Sequence, residues 1–131
     1  MKNKFEQYNR EVIRRFLNPK YSREMKDYDA VGIAKNKVCG DTMKIFLKIK
    51  DKKIQDISFQ TLGCAAAIAS SDALCELVKN KTLSYAKKID KNKIIRKLKG
   101  LPPIKVHCSV LGIEAIRKAI ENWENKNYRN E

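Results

Sequence analysis

Two strand-like segments joined by a very short connection are the feature that most constrains the fold of this chain. Residues 42–50, TMKIFLKIK, alternate apolar and polar side chains, which is typical of a strand with one buried face. Residues 54–62, IQDISFQTL, place Ile57 and Phe59 on one face in the same way. Because only the short turn DKK separates them, the two strands are predicted to pair antiparallel. The segment VGIAKNKV, residues 31–38, predicts a third strand.

The chain on either side of these strands has helical patterns. Residues 5–17 carry apolar side chains at helical spacing, and Asn18 and Pro19 end that helix. Further helices are predicted in the alanine-rich stretch 64–80, after the N-cap candidates Thr82 and Asp90, and from Ser109 to about Trp123, with an extended connector at Pro102 and Pro103. The prediction is an α+β fold: a small antiparallel sheet of about three strands, with helices packed on one face and an N-terminal helix.

Length and composition indicate a single globular domain over residues 1–131. Apolar residues make up 43% of the chain and charged residues 34%, which is typical of a protein with a hydrophobic core. No apolar run approaches the ~18–20 residues that a membrane span needs. The N-terminal segment has no apolar signal-peptide core, and it contains Glu6 and Glu11. We therefore expect a cytoplasmic protein without a membrane partner.

The positive charge is concentrated in one part of the chain. The formal net charge is +14, and residues 79–99 contain nine basic residues against Asp90 alone. Such a patch can attract nucleic acid, a membrane surface or an acidic protein, or it can be a solvated lysine-rich face. The stretch lacks the interleaved aromatic residues of single-strand binders, which makes nucleic-acid binding the less favoured interpretation.

The four cysteines divide into two groups. In a reducing compartment they are more typical of free thiols or metal ligands than of a disulfide framework. Cys39, Cys64 and Cys108 lie at the ends of the predicted elements, where functional residues are commonly placed. We call these the loop cysteines. Cys75 lies inside a predicted helix beside apolar residues, and we expect it to belong to the core.

The residues next to the loop cysteines favour a metal or cluster site. Gly40 and Gly63 would let the backbone approach a bulky ligand. Asp41 would share a strand face with Cys39, and His107 is adjacent to Cys108. Three sulfurs with a carboxylate or imidazole as fourth ligand suit Zn²⁺ or an iron–sulfur cluster.

Two alternatives remain open at this point. Buried cysteine is a common small hydrophobic residue, and a lone histidine is more often structural than ligating. A catalytic Cys–His pair is less favoured, because adjacent residues rarely orient their side chains toward each other.

Several segments together resemble the IscU/NifU-type iron–sulfur cluster assembly scaffolds. They are YNREVIRRFLNP, CGDTMKIFLKI, FQTLGCAAAIASSDAL and LPPIKVHCSVLGIEAIRKAI, in the order of the family and with near-family spacing between the loop cysteines. The resemblance implies that Cys39, Cys64 and Cys108 accept sulfur and hold a nascent cluster, 2Fe–2S in type. Asp41 would tune the lability of the cluster, His107 would be an alternative fourth ligand, and Lys105 would bias the site electrostatically.

The resemblance also implies partners. A cysteine desulfurase would deliver persulfide sulfur, and the finished cluster would pass to acceptor apoproteins, so the protein would be a scaffold and not an enzyme. An Hsp70-type chaperone would read the segment made of Leu101, Pro102, Pro103, Ile104 and Lys105. The protein could be a monomer or a dimer bridged by the cluster. The alternative functions are a zinc-binding sulfur acceptor and, less favoured, a basic nucleic-acid-binding domain.

Overall fold

The central hairpin and its third strand form the predicted sheet. The structure, a computed structural model, describes residues 7–37 and 40–129. Its strands are β1 (Ala30–Lys35), β2 (Thr42–Lys50) and β3 (Lys53–Leu62), and they form one antiparallel sheet in the order β1-β2-β3. Asp51 and Lys52 connect β2 to β3 with φ values of 55° and 61°. Positive φ at both central residues is the conformation that matches the twist of a tight hairpin.

Within residues 7–37 and 40–129, five helices and one 3-10 turn accompany the sheet. They are α1 (Arg10–Leu17), α2 (Ala65–Val78), α3 (Leu83–Lys87), α4 (Lys91–Lys97), the 3-10 turn (Pro103–Lys105) and α5 (His107–Arg129). Both predicted caps are confirmed: Thr82 accepts a hydrogen bond from the backbone of Tyr85, and Asp90 accepts from Asn92 and Lys93. The α+β prediction is therefore confirmed.

Three predicted boundaries are wrong. The N-terminal helix begins at Arg10, because Asn9 caps it by accepting a hydrogen bond from the backbone of Val12 at 2.9 Å. The connector around Pro102 is not extended throughout, since Pro103 starts a 3-10 turn, a position where proline loses no hydrogen bond. The last helix begins at His107, so Cys108 lies inside its first turn and does not precede it.

The hydrophobic core lies between the sheet and the helices α2 and α5. The sheet contributes the predicted buried side chains, Met43, Ile45, Leu47, Ile57 and Phe59. Helix α5 crosses β1 closely, because a Cβ at Gly32 would lie 2.2 Å from the carbonyl oxygen of Ala115. Phe46 points to the other face of the sheet, and its burial there was not predicted. Its ring contacts Tyr28 with the centroids 5.4 Å apart.

A buried ion pair connects α1 to α2. The Arg15 guanidinium donates to the Asp72 carboxylate at 2.8 Å, and both side chains are 3% exposed. The other oxygen of Asp72 accepts from the backbone of Lys20 at 2.8 Å and of Tyr21 at 3.0 Å. Arg15 also contacts the half-exposed Glu76 at 3.3 Å. The pair thus fixes the segment after α1 as well as the two helices.

Among the described residues, none of the helices has both the length and the apolar character that crossing a bilayer requires.

We predict that Asp72→Ala lowers the free energy of unfolding by about 3–5 kcal/mol, because it removes the buried carboxylate that pairs with Arg15 and leaves the backbone N–H groups of Lys20 and Tyr21 without their acceptor. Glu11 and Glu76 still contact the guanidinium in this variant. Glu76→Gln is the matched control, since Glu76 contacts the same guanidinium from a partly exposed position, and it should cost at most about 1 kcal/mol. Urea unfolding measures both variants. Equal losses in the two variants would contradict the assignment of Asp72 as the principal partner.

Candidate metal centre

Two of the loop cysteines lie at the start of a helix and face each other. Cys64 occupies the N-cap position of α2 and is partly buried, whereas Cys108 lies in the first turn of α5 and is fully buried. Their sulfur atoms are 3.8 Å apart. The short contact between the ends of two different helices exists because α2 and α5 pack against each other over the same sheet.

Asp41 supplies the third donor of the centre. Its Oδ2 atom is 4.0 Å from the Cys64 sulfur. The ligand atoms of Asp41, Cys64 and Cys108 all lie within 4.8 Å of one another, and together they could hold a metal ion. Two soft sulfurs and one hard oxygen at this separation suit Zn²⁺ or iron in a cluster.

Gly63 allows the carboxylate to come this close. A Cβ at Gly63 would lie 2.8 Å from Cγ and 3.0 Å from Oδ2 of Asp41, which is closer than real Cβ contacts. The close neighbour of Gly63 is therefore the Asp41 carboxylate, whereas its approach to a bulky ligand stays a prediction. At Gly40 the reason is different: its φ is +79°, a conformation that favours glycine, and no atom of the described residues lies within 4 Å of a Cβ placed there. Its N–H donates to the carbonyl of Asn36 at 2.8 Å, which closes the turn before Asp41.

His107 and Lys105 lie at the edge of the centre. The Nε2 atom of His107 is 3.7 Å from the Cys108 sulfur, but the residue is exposed and stands outside the group of three donors. Lys105 ends the 3-10 turn and is close enough to the centre for its charge to act on the sulfur of Cys64.

Cys39 lies outside the described residues. Cys75 is fully buried in α2, as expected for a core residue. In the segment 101–105, Leu101 and Pro102 are partly buried, whereas Pro103 and Ile104 are exposed.

Comparison with known proteins places the chain in a family. A model of the NifU-like N-terminal domain matches residues 7–130. The chain belongs to this family.

Named relatives of this NifU-like domain share most of its length. The iron–sulfur cluster assembly scaffold protein IscU 1 of Archaeoglobus fulgidus is 46% identical over 120 residues, covering 92% of this chain and 78% of that protein. The scaffold protein IscU of Aquifex aeolicus is 39% identical over 125 residues, covering 94% and 80%. The N-terminal crystal structure of a NifU-like protein from Brucella abortus has a TM-score of 0.72 at 22% identity, with 93% and 97% covered, and so has the same fold.

In this NifU-like domain, the thiols of Cys64 and Cys108 have pKa values that are shifted in opposite directions. The hydrogen bond from Cys108 is the largest cause that lowers the pKa of Cys64, to about 5. The backbone of Ala67 at the start of α2 and the Lys105 cation act in the same direction, while burial opposes them. The pKa of Cys108 is raised, because its thiol donates to Cys64 and because it is buried.

Tyr8 lies near the candidate metal centre, and the amino-acid pattern did not predict this position. Its pKa is raised, first by burial and then by the negative charge of Cys64. In the sequence, Tyr8 only continues the apolar spacing of the N-terminal helix. Its placement depends on Asn9, whose amide donates to the carbonyls of Leu98, Lys99 and Gly100 at 3.0–3.2 Å. No local signal could have indicated a contact across about ninety residues of chain.

We predict that iodoacetamide modifies Cys64 of the metal-free protein rapidly at neutral pH, and that its rate falls as the pH decreases toward about 5, where the thiolate is protonated. Lys105→Ala should move this profile to higher pH, because the cation lowers the pKa of Cys64. Peptide mass spectrometry gives the rate for each cysteine, and Cys75 should react only after unfolding. A midpoint for Cys64 near the ordinary value of about 8.5, with or without Lys105, would contradict this electrostatic account.

Proposed function

We propose that the protein is a scaffold on which an iron–sulfur cluster is assembled and from which it is released to acceptor apoproteins. The observation that carries the proposal is the group of donors formed by Asp41, Cys64 and Cys108 within 4.8 Å. Relatives that are 39–46% identical over most of the chain are named as scaffolds for this task. A scaffold binds and releases its cargo, so we propose no enzymatic turnover.

The donor set suits a cluster that must later leave. Cys64 and Cys108 would provide thiolate ligands, and Cys39 would provide a third, since it is two residues from Asp41 in the β1–β2 connection. We propose a 2Fe–2S cluster, for which four protein ligands are usual. Asp41 is the preferred fourth ligand, because its oxygen already lies in the donor group. His107 would be the alternative fourth ligand, since its Nε2 atom lies 3.7 Å from the Cys108 sulfur although it stands outside the group of three donors.

The charges around the centre favour an anionic cargo that is held reversibly. Lys105 adds a positive charge beside sulfurs that would otherwise repel one another, and the pKa of Lys105 is raised chiefly by the negative charge of Cys64. The hard carboxylate oxygen of Asp41 is the poorest match for iron bound by thiolates. It is therefore the ligand at which exchange would begin.

The proposed partners would bind at residues that are exposed around the centre. A cysteine desulfurase would deliver sulfur to the partly exposed Cys64. The exposed Pro103 and Ile104 would be available to an Hsp70-type chaperone, and Ile104 is 75% exposed. The acceptors would be apoproteins that provide thiolates of their own.

Zinc binding is the second candidate, and the same donor group favours it. Two sulfurs and one carboxylate leave one position open, as in a tetrahedral site with an exchangeable ligand. In this case the protein would hold Zn²⁺ and accept sulfur without building a cluster.

Anaerobic reconstitution with Fe²⁺, cysteine, a cysteine desulfurase and dithiothreitol, which supplies the electrons that reduce the delivered persulfide sulfur to sulfide, tests the proposal. We expect the protein to develop visible cluster absorption, with iron and acid-labile sulfide in equal amounts. Cys64→Ser and Cys108→Ser should abolish it, whereas Cys75→Ala, which removes a core thiol away from the centre, should retain it. Absence of cluster absorption after chelation of any zinc would contradict the scaffold proposal and support the zinc-binding sulfur acceptor.

We predict that Asp41→Ala slows the loss of the assembled cluster to an added chelator several-fold, because it removes the ligand at which exchange begins. Gly63→Ala should have the same effect in a chain that retains Asp41, since the new Cβ would displace the carboxylate. The decay of visible absorption measures both variants. If Asp41→Ala loses its cluster as fast as the unmodified protein, this role for Asp41 is wrong.

A further inference from the structure

Residues 79–99, which include the helices α3 and α4, carry a group of cations that form no ion pair with the described residues. Three of the nine basic residues at 79–99 pair with acids elsewhere: Lys79 with Asp56, Lys87 with Glu124 and Lys97 with Glu76. The other six are exposed and form no ion pair with any described residue. They are Lys81, Lys88, Lys91, Lys93, Arg96 and Lys99, and we call them the basic platform.

Asp90, the one acidic residue within residues 79–99, caps a helix and forms no ion pair with the neighbouring lysines. The Oδ1 atom of Asp90 accepts hydrogen bonds from the backbone of Asn92 at 2.7 Å and of Lys93 at 3.3 Å. It therefore caps α4 and faces the helix amides. The lysines next to it gain no ion pair from this carboxylate.

The backbone that carries the platform is held firmly. Ile94 and Leu98 are fully buried, so one side of α4 is packed into the core. The amide of Asn9 binds the carbonyls at the end of the same helix. A partner would therefore meet cations on an ordered surface and would not have to order the backbone on binding.

Two of the cations share one aromatic ring. The Nζ atoms of Lys81 and Lys93 lie 5.7 Å and 4.8 Å from the centroid of the Tyr85 ring. Two cations that contact the same ring favour an anion that interacts with both. The ring is already covered by the ammonium groups, so it is not a free stacking platform for a nucleic-acid base.

In the chain, the basic platform directly precedes the segment that leads to the candidate metal centre. Lys99 is followed by Gly100 and then by the segment 101–105, whose last residue, Lys105, acts electrostatically on Cys64. We propose that the basic platform docks an acidic segment of a partner protein, which thereby lies beside the segment 101–105. This inference goes beyond the proposed function and stands on the surface charges alone.

Binding of dye-labelled poly-L-glutamate to the full chain, followed by fluorescence anisotropy, tests the proposal. We expect saturable binding that weakens as salt is raised. Lys93→Glu with Arg96→Glu should weaken it at least tenfold. The matched control is Lys26→Glu with Lys118→Glu, which makes the same change in net charge at two exposed positions outside the platform, and it should change binding less than twofold.

Three outcomes would overturn the proposal. One is no binding of poly-L-glutamate at low salt. A second is an equal loss in the two double variants when both retain the unfolding midpoint of the parent chain, since only net charge would then matter. The third is tighter binding of a single-stranded RNA or of anionic phospholipid vesicles than of poly-L-glutamate at the same salt concentration. Cluster reconstitution with inorganic sulfide should be unchanged in the platform variant, which separates this test from that of the proposed function.

Discussion

The buried ion pair between Arg15 and Asp72 connects the parts of the fold on which the candidate metal centre depends. Asp72 lies in α2, the helix that begins next to Cys64, and Arg15 lies in α1. The same carboxylate holds the backbone at Tyr21, whose carbonyl accepts from Phe59 in β3 at 3.0 Å. One buried acid therefore fixes α2 relative to α1 and to the sheet. Two charges this deeply buried are tolerated because each has several hydrogen-bonding partners.

The candidate metal centre is formed by the ends of elements and not by any single one of them. Asp41 leads into β2, Cys64 starts α2 and Cys108 lies in the first turn of α5. Rigid elements behind each residue hold the donor atoms near one another, while Gly63 leaves the space that the carboxylate needs. The arrangement leaves Cys64 partly accessible and Cys108 enclosed, so the two sulfurs have different chemistry although both begin helices.

Local patterns were sufficient to predict the sheet, the caps at Thr82 and Asp90 and the core role of Cys75, because alternation, capping and burial act over a few residues. Of the predicted site residues, the structure brings together Asp41, Cys64 and Cys108, while the role of Cys39 stays a prediction. The start of α5 was misjudged because a 3-10 turn precedes it. The contacts of Arg15 and Tyr8 could not be predicted, since each joins segments that are distant in sequence.

Asn9 joins the start of α1 to the backbone that follows α4, and it lies next to Tyr8 in the chain. Its side-chain Oδ1 accepts from the backbone of Val12 and caps α1, and its Nδ2 donates to the carbonyls of Leu98, Lys99 and Gly100 just after α4. The two helices therefore share a single side chain at their meeting ends, immediately after Tyr8. Any partner that draws α4 outward must first break these hydrogen bonds, and the phenol beside Cys64 would then lose its anchor.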